Sequence, residues 1–362
     1  MLAGHRQKCR DRMRNMSAVP ENARHRTDFL QCRICGSEII SECGQQESDP
    51  NCRWLVYDCW DCGSRFTMQH DGAVYEQLYS DNLIYYQEYG RLWRVCRDLF
   101  KRGDRVGLRN ELVKNSKYQF IIDEIDRWPI DARILELGCS TGFLGSYFIL
   151  SGRPIIGVDV SPTAIGWAKA AFGDHFVLAG DSAVDAGAPY DVVYHVGTIG
   201  CVRDPVGFTW RCLELLRPGG SLLFNAPNRD AIRLPGQLWL DTAPPPDLVT
   251  LFSAEFWREQ FGSAAVVCEQ VEHCTPIENA AIALRRATYS LWRAVGWRMP
   301  EMKGRSVTAK MWGRLLRYFE TAVCTCLAHS RWSRTLRAYP RDFGLFISMV
   351  RKSETRMQAA KP

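Results

Sequence analysis

The stretch Ile134-Leu-Glu-Leu-Gly-Cys-Ser-Thr-Gly142 decides the fold. A short apolar run typical of a buried strand leads into a turn with a glycine at each end, and the turn opens a helix. Backbone amides at a helix N-terminus favour an anionic group. Gly138 and Gly142 are expected to let a ligand approach the backbone where a Cβ atom would clash. The sequence therefore predicts a ligand site at the end of this strand.

Strands alternate with helices from Ala132 onward, which predicts an α/β fold with a Rossmann-like, doubly wound and mostly parallel sheet. The predicted strands are Arg133–Leu137, Pro154–Val160, His175–Ala179, Tyr190–Val196, Ser221–Asn225, Ala264–Val271 and Phe343–Val350. The predicted helices are Gly142–Leu150, Thr163–Phe172 and Phe208–Leu216.

Two aspartates follow the second and third predicted strands. Asp159 stands 21 residues after Gly138, where an acidic residue accepts hydrogen bonds from ribose hydroxyls. Asp181 follows the third strand and is placed to meet an adenine amino group. A dinucleotide site prefers a glycine at the position of Ser140, so a diphosphate fits less well. Ribose, adenine and an amino-acid carboxylate together describe S-adenosylmethionine.

The ordered segments E-L-G-C-S-T-G, G-V-D-V-S-P-T-A-I, G-D-S, Y-D-V-V-Y and L-R-P-G-G-S-L-L-F-N-A-P-N cover about Ala132–Gly262. With these segments in this order, the chain resembles the class I S-adenosylmethionine-dependent methyltransferases. The stretch from Trp239 to Ser253 further resembles the small-molecule branch of that family, where P-x-H-x-x-x-F-S is common. Asp247 stands where that branch usually has histidine, and Ile199-Gly-Cys-Val202 replaces the frequent L-E-H-V. These departures weaken any transfer of catalytic residues.

The resemblance implies a set of cofactor contacts. Glu136, Gly138, Ser140 and Gly142 would line the methionine end, Asp159 the ribose and Asp181 the adenine edge. Their neighbours Cys139, Val160, Ser182 and Val196 complete the predicted cofactor-binding set. For each residue alone, a purely structural role is equally expected: glycines after strands make turns, and an aspartate at a strand end caps a helix.

A cysteine cluster precedes the sheet. Cys32-x2-Cys35 and Cys59-x2-Cys62 form two knuckles, and each is followed by a glycine. Four thiolates suit tetrahedral Zn²⁺ and leave no open position for catalysis, so we expect a structural zinc ribbon whose folding depends on the metal. An iron–sulfur or redox site is the alternative. Cys43 and Cys52 lie between the knuckles and are expected to be plain thiols rather than ligands.

Methyl transfer requires alignment of the acceptor behind the methyl group and, for some acceptors, removal of a proton. His195 ends the fourth predicted strand, at the sheet edge where open α/β sheets bind ligands, and is the candidate catalytic base. A satisfied structural histidine is the alternative. Asn225, Asn228 and Asp247 are weaker candidates for the pocket.

The remaining sequence suggests further segments. We expect a flexible basic arm (1–29), the ribbon (30–70), a helical linker or lid (71–130), the core (131–274), a basic Trp-rich helical insertion (275–341) and a last core strand with a tail (342–362). In the linker, Leu92, Val95, Cys96, Leu99 and Phe100 share one helix face. The sequence from Thr275 onward contains 17 Lys and Arg residues but only 5 Asp and Glu residues, whereas the net charge of the whole chain is +6. The segment 280–341 could cover an acceptor, contact anionic lipid or RNA, or simply pack its tryptophans inward.

The sequence therefore predicts a methyltransferase that acts on a small-molecule or glycan acceptor, with an anionic or lipid-linked acceptor as the favoured kind. Surface-glycan or deoxysugar biosynthesis is the context that the ribbon and core together suggest. Two alternatives stay open: an RNA base methyltransferase, and a non-catalytic scaffold that binds S-adenosylmethionine. Without a long apolar run or a signal-peptide pattern, we expect a cytoplasmic protein, with peripheral membrane contact left open.

Overall fold

The computed structural model describes residues 31–49, 52–67, 87–232, 237–240, 243–271 and 344–353. The chain divides into two compact units, and all described residues belong to the unit formed by Met1–Val271 and Phe343–Pro362. The other unit, Glu272–Asp342, contains the predicted insertion 275–341 and lies outside the described residues. The predicted arm 1–29 also lies outside them. None of the described helices is long and apolar enough to cross a membrane.

A seven-stranded sheet forms the centre of the described unit. Its strands are β4 (Ile134–Leu137), β5 (Ile155–Asp159), β6 (Phe176–Leu178), β7 (Tyr190–His195), β8 (Leu216–Pro227), β10 (Ala265–Val271) and β11 (Gly344–Arg351). The order across the sheet is β10-β11-β8-β7-β4-β5-β6. The pairs from β8 to β6 are parallel, and β11 is antiparallel to both of its neighbours. The predicted mostly parallel α/β sheet is confirmed.

Helices cover both faces of this sheet. They are α1 (Gln87–Lys101), α2 (Arg105–Leu112), α3 (Ser116–Ile125), α4 (Gly145–Leu150), α5 (Pro162–Phe172), α6 (Ala183–Ala186), α7 (Pro205–Leu215) and α8 (Phe256–Phe261). One hydrophobic cluster joins side chains of α1 to α5 to one sheet face, and a second joins α7 and α8 to the other. The predicted apolar face of the linker is confirmed, because Leu92, Cys96 and Leu99 are buried in the first cluster.

The cysteine-rich segment forms a second sheet that includes a strand from the core. The hairpin β1 (Ile40–Asp49) and β2 (Cys52–Cys59) is followed by β3 (Arg65–Thr67), which pairs antiparallel with β9 (Thr250–Leu251). Cys32, Ile34, Tyr57 and Phe66 are buried in the same cluster as the side chains of α7 and α8. The ribbon, here the segment 31–67, therefore shares its hydrophobic core with the large sheet.

Polar contacts reinforce this junction. Arg33 donates hydrogen bonds to the carbonyl oxygens of Val202 (3.0 Å) and Arg203 (3.2 Å). The Ser253 hydroxyl donates a hydrogen bond to the carbonyl oxygen of Cys62 at 3.0 Å, and the Thr67 amide donates one to the carbonyl oxygen of Val249 at 3.0 Å. Because all of these acceptors are backbone oxygens, the contacts fix the path of the chain and not only side-chain positions.

The observed boundaries differ from the predicted ones at several elements, and the differences at α7 and β8 have a clear physical reason. The helix begins at Pro205 rather than Phe208, because Asp204 caps it by accepting a hydrogen bond from the Gly207 amide at 2.9 Å and Pro205 suits the first turn. The strand begins at Leu216 rather than Ser221, so the sequence Pro218-Gly219-Gly220 lies within β8 and does not separate the helix from it.

We expect the ribbon and the core to unfold as one cooperative unit. Phe66 has no exposed surface and stacks on Tyr57, with ring centroids 5.9 Å apart. Its replacement by alanine should lower the free energy of unfolding of the entire described unit by about 3–5 kcal/mol, the usual cost of deleting a buried phenylalanine ring. Chemical denaturation followed by both tryptophan fluorescence and circular dichroism would measure this.

Trp60→Ala is the matched control, since the Trp60 side chain is 69% exposed and its loss should change stability little. A core transition that Phe66→Ala leaves unchanged, with a separate ribbon transition at lower denaturant, would contradict the shared core.

Candidate cofactor site and metal centre

The glycine-rich turn after β4 has an unusual backbone conformation. Gly138, Ser140 and Gly142 all have positive φ angles, of 75°, 49° and 74°. The carbonyl oxygen of Val158 in β5 accepts hydrogen bonds from the amides of Gly138 (2.7 Å) and Cys139 (2.9 Å). The turn is therefore tied to the carboxyl end of the neighbouring strand.

The structure corrects the reason given for the two glycines. A Cβ atom on Gly138 would lie 2.5 Å from the Thr198 hydroxyl, and one on Gly142 would lie 2.6 Å from the ring of Phe176. Side chains of the protein itself, and not only a ligand, fill the space beside both residues. Their positive φ angles add a second requirement for glycine.

Asp159 closes the turn from the other side. One carboxylate oxygen accepts a hydrogen bond from the Ser140 amide at 2.8 Å, and the other accepts one from the Ser161 amide at 2.9 Å. Burial raises the pKa of this carboxyl above its ordinary value. Each oxygen still has acceptor capacity, since a carboxylate oxygen has two lone pairs. The next residue, Val160, is 53% exposed.

Asp181 and Ser182 are exposed beyond the end of β6. Asp181 accepts a hydrogen bond from the Ala183 amide at 2.8 Å and so shapes the start of α6. That is the structural role anticipated for an aspartate at a strand end. Its exposure leaves the second carboxylate oxygen accessible to a ligand.

Glu136 is buried on β4, next to Tyr194 of β7 in the strand register. Burial raises the pKa of Glu136 to about 8. A hydrogen bond between Glu136 and the Tyr194 hydroxyl counteracts part of the rise in the pKa of Glu136, whereas the buried Thr141 hydroxyl has no hydrogen-bond partner among the described residues. Buried polar atoms are costly without partners, so this group can accommodate the polar end of a ligand. Cys139 is buried in the same turn, and burial raises the pKa of its thiol.

His195 does not lie in an environment suited to a general base. Its ring has no exposed surface, and it stacks on Phe224 with centroids 4.6 Å apart. Burial lowers its pKa to about 3, and neither ring nitrogen has a hydrogen-bond partner within the described residues. The sequence placed it correctly at the strand end, but the strand alternation turns its side chain into the core. Val196, the next residue, is half-buried against the α1–α5 cluster.

The loop after β7 contributes residues that the sequence analysis did not single out or ranked low. Asn225 accepts a hydrogen bond from the Gly197 amide at 2.8 Å, and Thr198 packs against Gly138. These contacts link β8, the β7–α7 loop and the glycine turn. Asn228 is buried and accepts from the Asp230 amide at 2.9 Å, while the Asp247 carbonyl oxygen accepts from the Cys201 thiol at 2.8 Å.

Three carboxyl groups thus gather near the carboxyl ends of β4, β5 and β6: Glu136, Asp159 and Asp181. Open α/β sheets bind ligands at this edge. S-adenosylmethionine offers hydrogen-bond donors to such groups, namely an ammonium, two ribose hydroxyls and an adenine amino group. The residues present fit this cofactor.

The four predicted metal ligands come together. The thiol sulfurs of Cys32, Cys35, Cys59 and Cys62 all lie within 4.8 Å of one another. The distance from Cys32 Sγ to Cys62 Sγ is 3.8 Å, and from Cys35 Sγ to Cys59 Sγ it is 3.6 Å. A tetrahedral zinc site with Zn–S bonds of about 2.3 Å separates its sulfurs by about 3.8 Å. The cluster could hold a zinc ion.

The other two cysteines of the hairpin are not part of this cluster. Cys43 is half-buried, and its thiol donates a 3.7 Å hydrogen bond to the Ser41 carbonyl oxygen. The side chain of Cys52 lies outside the described residues.

Comparison with known proteins places the chain among methyltransferases. The ubiquinone biosynthesis O-methyltransferase of Cereibacter sphaeroides strain ATCC 17029 is 30% identical over 118 residues, which are 30% of this chain and 48% of that protein. The protein of the same name from Mesorhizobium japonicum is 33% identical over 103 residues, 27% of this chain and 41% of the relative. The chain therefore spans about half the length of the curated relatives it matches.

A solved structure of coclaurine N-methyltransferase, bound to N-methylheliamine and SAH, is 12% identical with a TM-score of 0.37. The match covers 64% of this chain and 69% of that one. A TM-score this low supports no conclusion about function. The family model described as "Methyltransferase domain" matches residues 91–265. That match and the named relatives show that residues 91–265 of the chain are similar to a methyltransferase domain.

Proposed function

We propose that this protein transfers the methyl group of S-adenosylmethionine to a small-molecule or sugar-linked acceptor. The position of Asp159 is the observation that carries the proposal. Its carboxylate lies between the glycine turn and the start of α5, with acceptor capacity remaining on both oxygens. Such a group can receive the two adjacent hydroxyls of a ribose.

Other residues would contact the remaining parts of the cofactor. The buried side chains of Glu136 and Thr141 would meet the methionine end, together with the turn from Gly138 to Gly142. Asp181, with Val160 and Ser182 exposed nearby, would meet the adenine. The sulfonium supplies an activated methyl group when the cofactor is bound.

The protein's part in the reaction is then chiefly alignment. The β7–α7 loop is held to β8 by the hydrogen bond from Gly197 to Asn225, and Thr198 packs against the glycine turn at Gly138. We infer that this loop fixes one boundary of the space in front of the methyl group. Holding two reactants in line can replace much of the chemical assistance that a free reaction would need. We assign no general base, because His195 is buried away from this space.

The acceptor class rests on the relatives and on the sequence. The curated relatives are named as O-methyltransferases of ubiquinone biosynthesis, which favours a hydroxyl on a small molecule as the nucleophile. The surface-glycan or deoxysugar context is a narrower hypothesis that comes from the combination of ribbon and core. It would be tested by screening nucleotide-sugar and glycan acceptors against phenolic ones.

The cofactor assignment predicts binding that depends on Asp159. S-adenosylhomocysteine should bind the full chain with micromolar affinity, and Asp159→Asn should weaken binding about ten- to a hundredfold, the usual value of a hydrogen bond to a charged group. Isothermal titration calorimetry measures both. Asp174→Asn serves as the matched control, because the Asp174 carboxylate is 92% exposed near Lys169 and precedes β6, at the opposite end of that strand from Asp181.

Failure of a folded sample to bind S-adenosylmethionine or S-adenosylhomocysteine would refute the proposal. Cofactor binding without turnover of any acceptor in a broad screen would instead support the scaffold alternative.

We further propose that the four-thiol cluster holds a structural zinc ion. Its sulfur separations match tetrahedral coordination, and the chain around it is buried against the core. Four thiolates would leave no position open for a substrate. When bound, the ion would supply folding free energy to a segment that has little core of its own.

The purified protein should therefore contain about one zinc ion per chain. Cys59→Ser should lose the metal and lower the melting temperature, because a hydroxyl replaces a buried thiolate ligand. Cys43→Ser should keep it, since Cys43 is outside the cluster. Inductively coupled plasma mass spectrometry gives the stoichiometry, and iron in place of zinc, or equal loss in both variants, would overturn the assignment.

A further inference from the structure

A charge imbalance marks the junction between the ribbon and the core. Arg65 of β3 forms a bidentate pair with Asp58 of β2, with both contacts at 2.7 Å. The same carboxylate also meets Arg229, whose guanidinium lies 3.3 Å from Asp58 Oδ2. Two guanidinium groups therefore share one carboxylate.

The two arginines are held very differently. The Arg65 side chain is 9% exposed, and its guanidinium donates a further hydrogen bond to the Leu238 carbonyl oxygen at 3.0 Å. The Arg229 side chain is 33% exposed, and Asp58 is its one ion-pair partner among the described residues. Most donors of the Arg229 fork thus remain available, and its exposure makes them accessible to a ligand.

Arg229 lies at the carboxyl end of β8, on the same edge of the sheet as the proposed cofactor groups. It follows directly on Pro227 and Asn228 at the carboxyl end of β8, and its amide is fixed by a 2.8 Å hydrogen bond to the Phe252 carbonyl oxygen. In the strand order β8-β7-β4-β5-β6, the proposed ribose and adenine groups lie at β5 and β6. The acceptor must approach from the other side of β4, which is the side of β7 and β8.

We propose that Arg229 binds an anionic oxygen group, a carboxylate or a phosphate, on the methyl acceptor. The planar fork of an arginine suits bidentate recognition of either group. Asp58, itself fixed by Arg65, orients the guanidinium from the ribbon side. The ribbon thus contributes to substrate specificity. This inference deepens the proposed function and rests on it.

The test uses simple anions as probes because the acceptor is not identified. Ligand-observed NMR would measure binding of 4-fluorobenzoate and of inorganic phosphate to the full chain at low ionic strength, with and without S-adenosylhomocysteine. The neutral 4-fluorobenzamide is the matched ligand control. We expect at least one anion to bind, the amide to bind more weakly, and Arg229→Gln to weaken anion binding about tenfold or more.

Two variants separate a binding role from a structural one. Arg229→Lys keeps the charge and should retain part of the affinity, whereas Arg203→Gln removes an exposed arginine from the neighbouring β7–α7 loop and should change nothing. Arg229→Gln should fold normally, because Arg65 still pairs with Asp58 at both oxygens. An unchanged melting temperature would check this.

Equal dissociation constants for the wild-type chain and Arg229→Gln, or no anion binding to the wild-type chain, would overturn the inference. Anion binding that depends on Arg229 in a chain that does not bind S-adenosylhomocysteine would contradict the proposed function and leave the anion site standing.

Discussion

The carboxylate of Asp159 is the group on which the proposed cofactor site at the carboxyl ends of β4 to β6, here called the cofactor face, depends. It holds the amide of Ser140 in the glycine turn and the amide of Ser161 at the start of α5, so one side chain joins the glycine turn to the connection between β5 and α5. Ser140 has a positive φ angle, which costs free energy for a residue with a Cβ atom. The hydrogen bond to Asp159 offsets part of this cost and keeps the turn in place before any ligand arrives.

The pairing of β3 with β9 is the second constraint. This pairing joins the cysteine-rich segment to the core. The chain at β9 is joined in turn to the β7–α7 loop, because the amides of Val249 and Thr250 donate hydrogen bonds to the Gly200 carbonyl oxygen. Thr198, in the same loop, packs against Gly138 of the glycine turn. A continuous set of contacts therefore runs from the ribbon to the cofactor face. The same junction places Asp58 of the ribbon on Arg229.

The sequence predicted the sheet well, because the alternation of strands and helices and the glycine turn are local signals. The clustering of the four cysteines was likewise predictable from their spacing, and Asp159 and Asp181 stay predicted cofactor residues. The shared core of ribbon and sheet was not predictable, since β9 is only two residues long and its partner lies about 185 residues earlier in the chain. His195 was chosen for its place at a strand end. Only the side-chain direction, which packing against Phe208 and Phe224 decides, shows that it faces the core.

Amide hydrogen exchange, followed by mass spectrometry with and without S-adenosylhomocysteine, tests the central claim most directly. The account predicts that the ligand slows exchange in peptides covering 138–142, 159–161 and 178–183, because these segments surround the proposed site. Peptides covering 40–60 should exchange at the same rate in both states. Slowed exchange confined to segments remote from the carboxyl ends of β4 to β6, or no change at saturating ligand, would contradict the account.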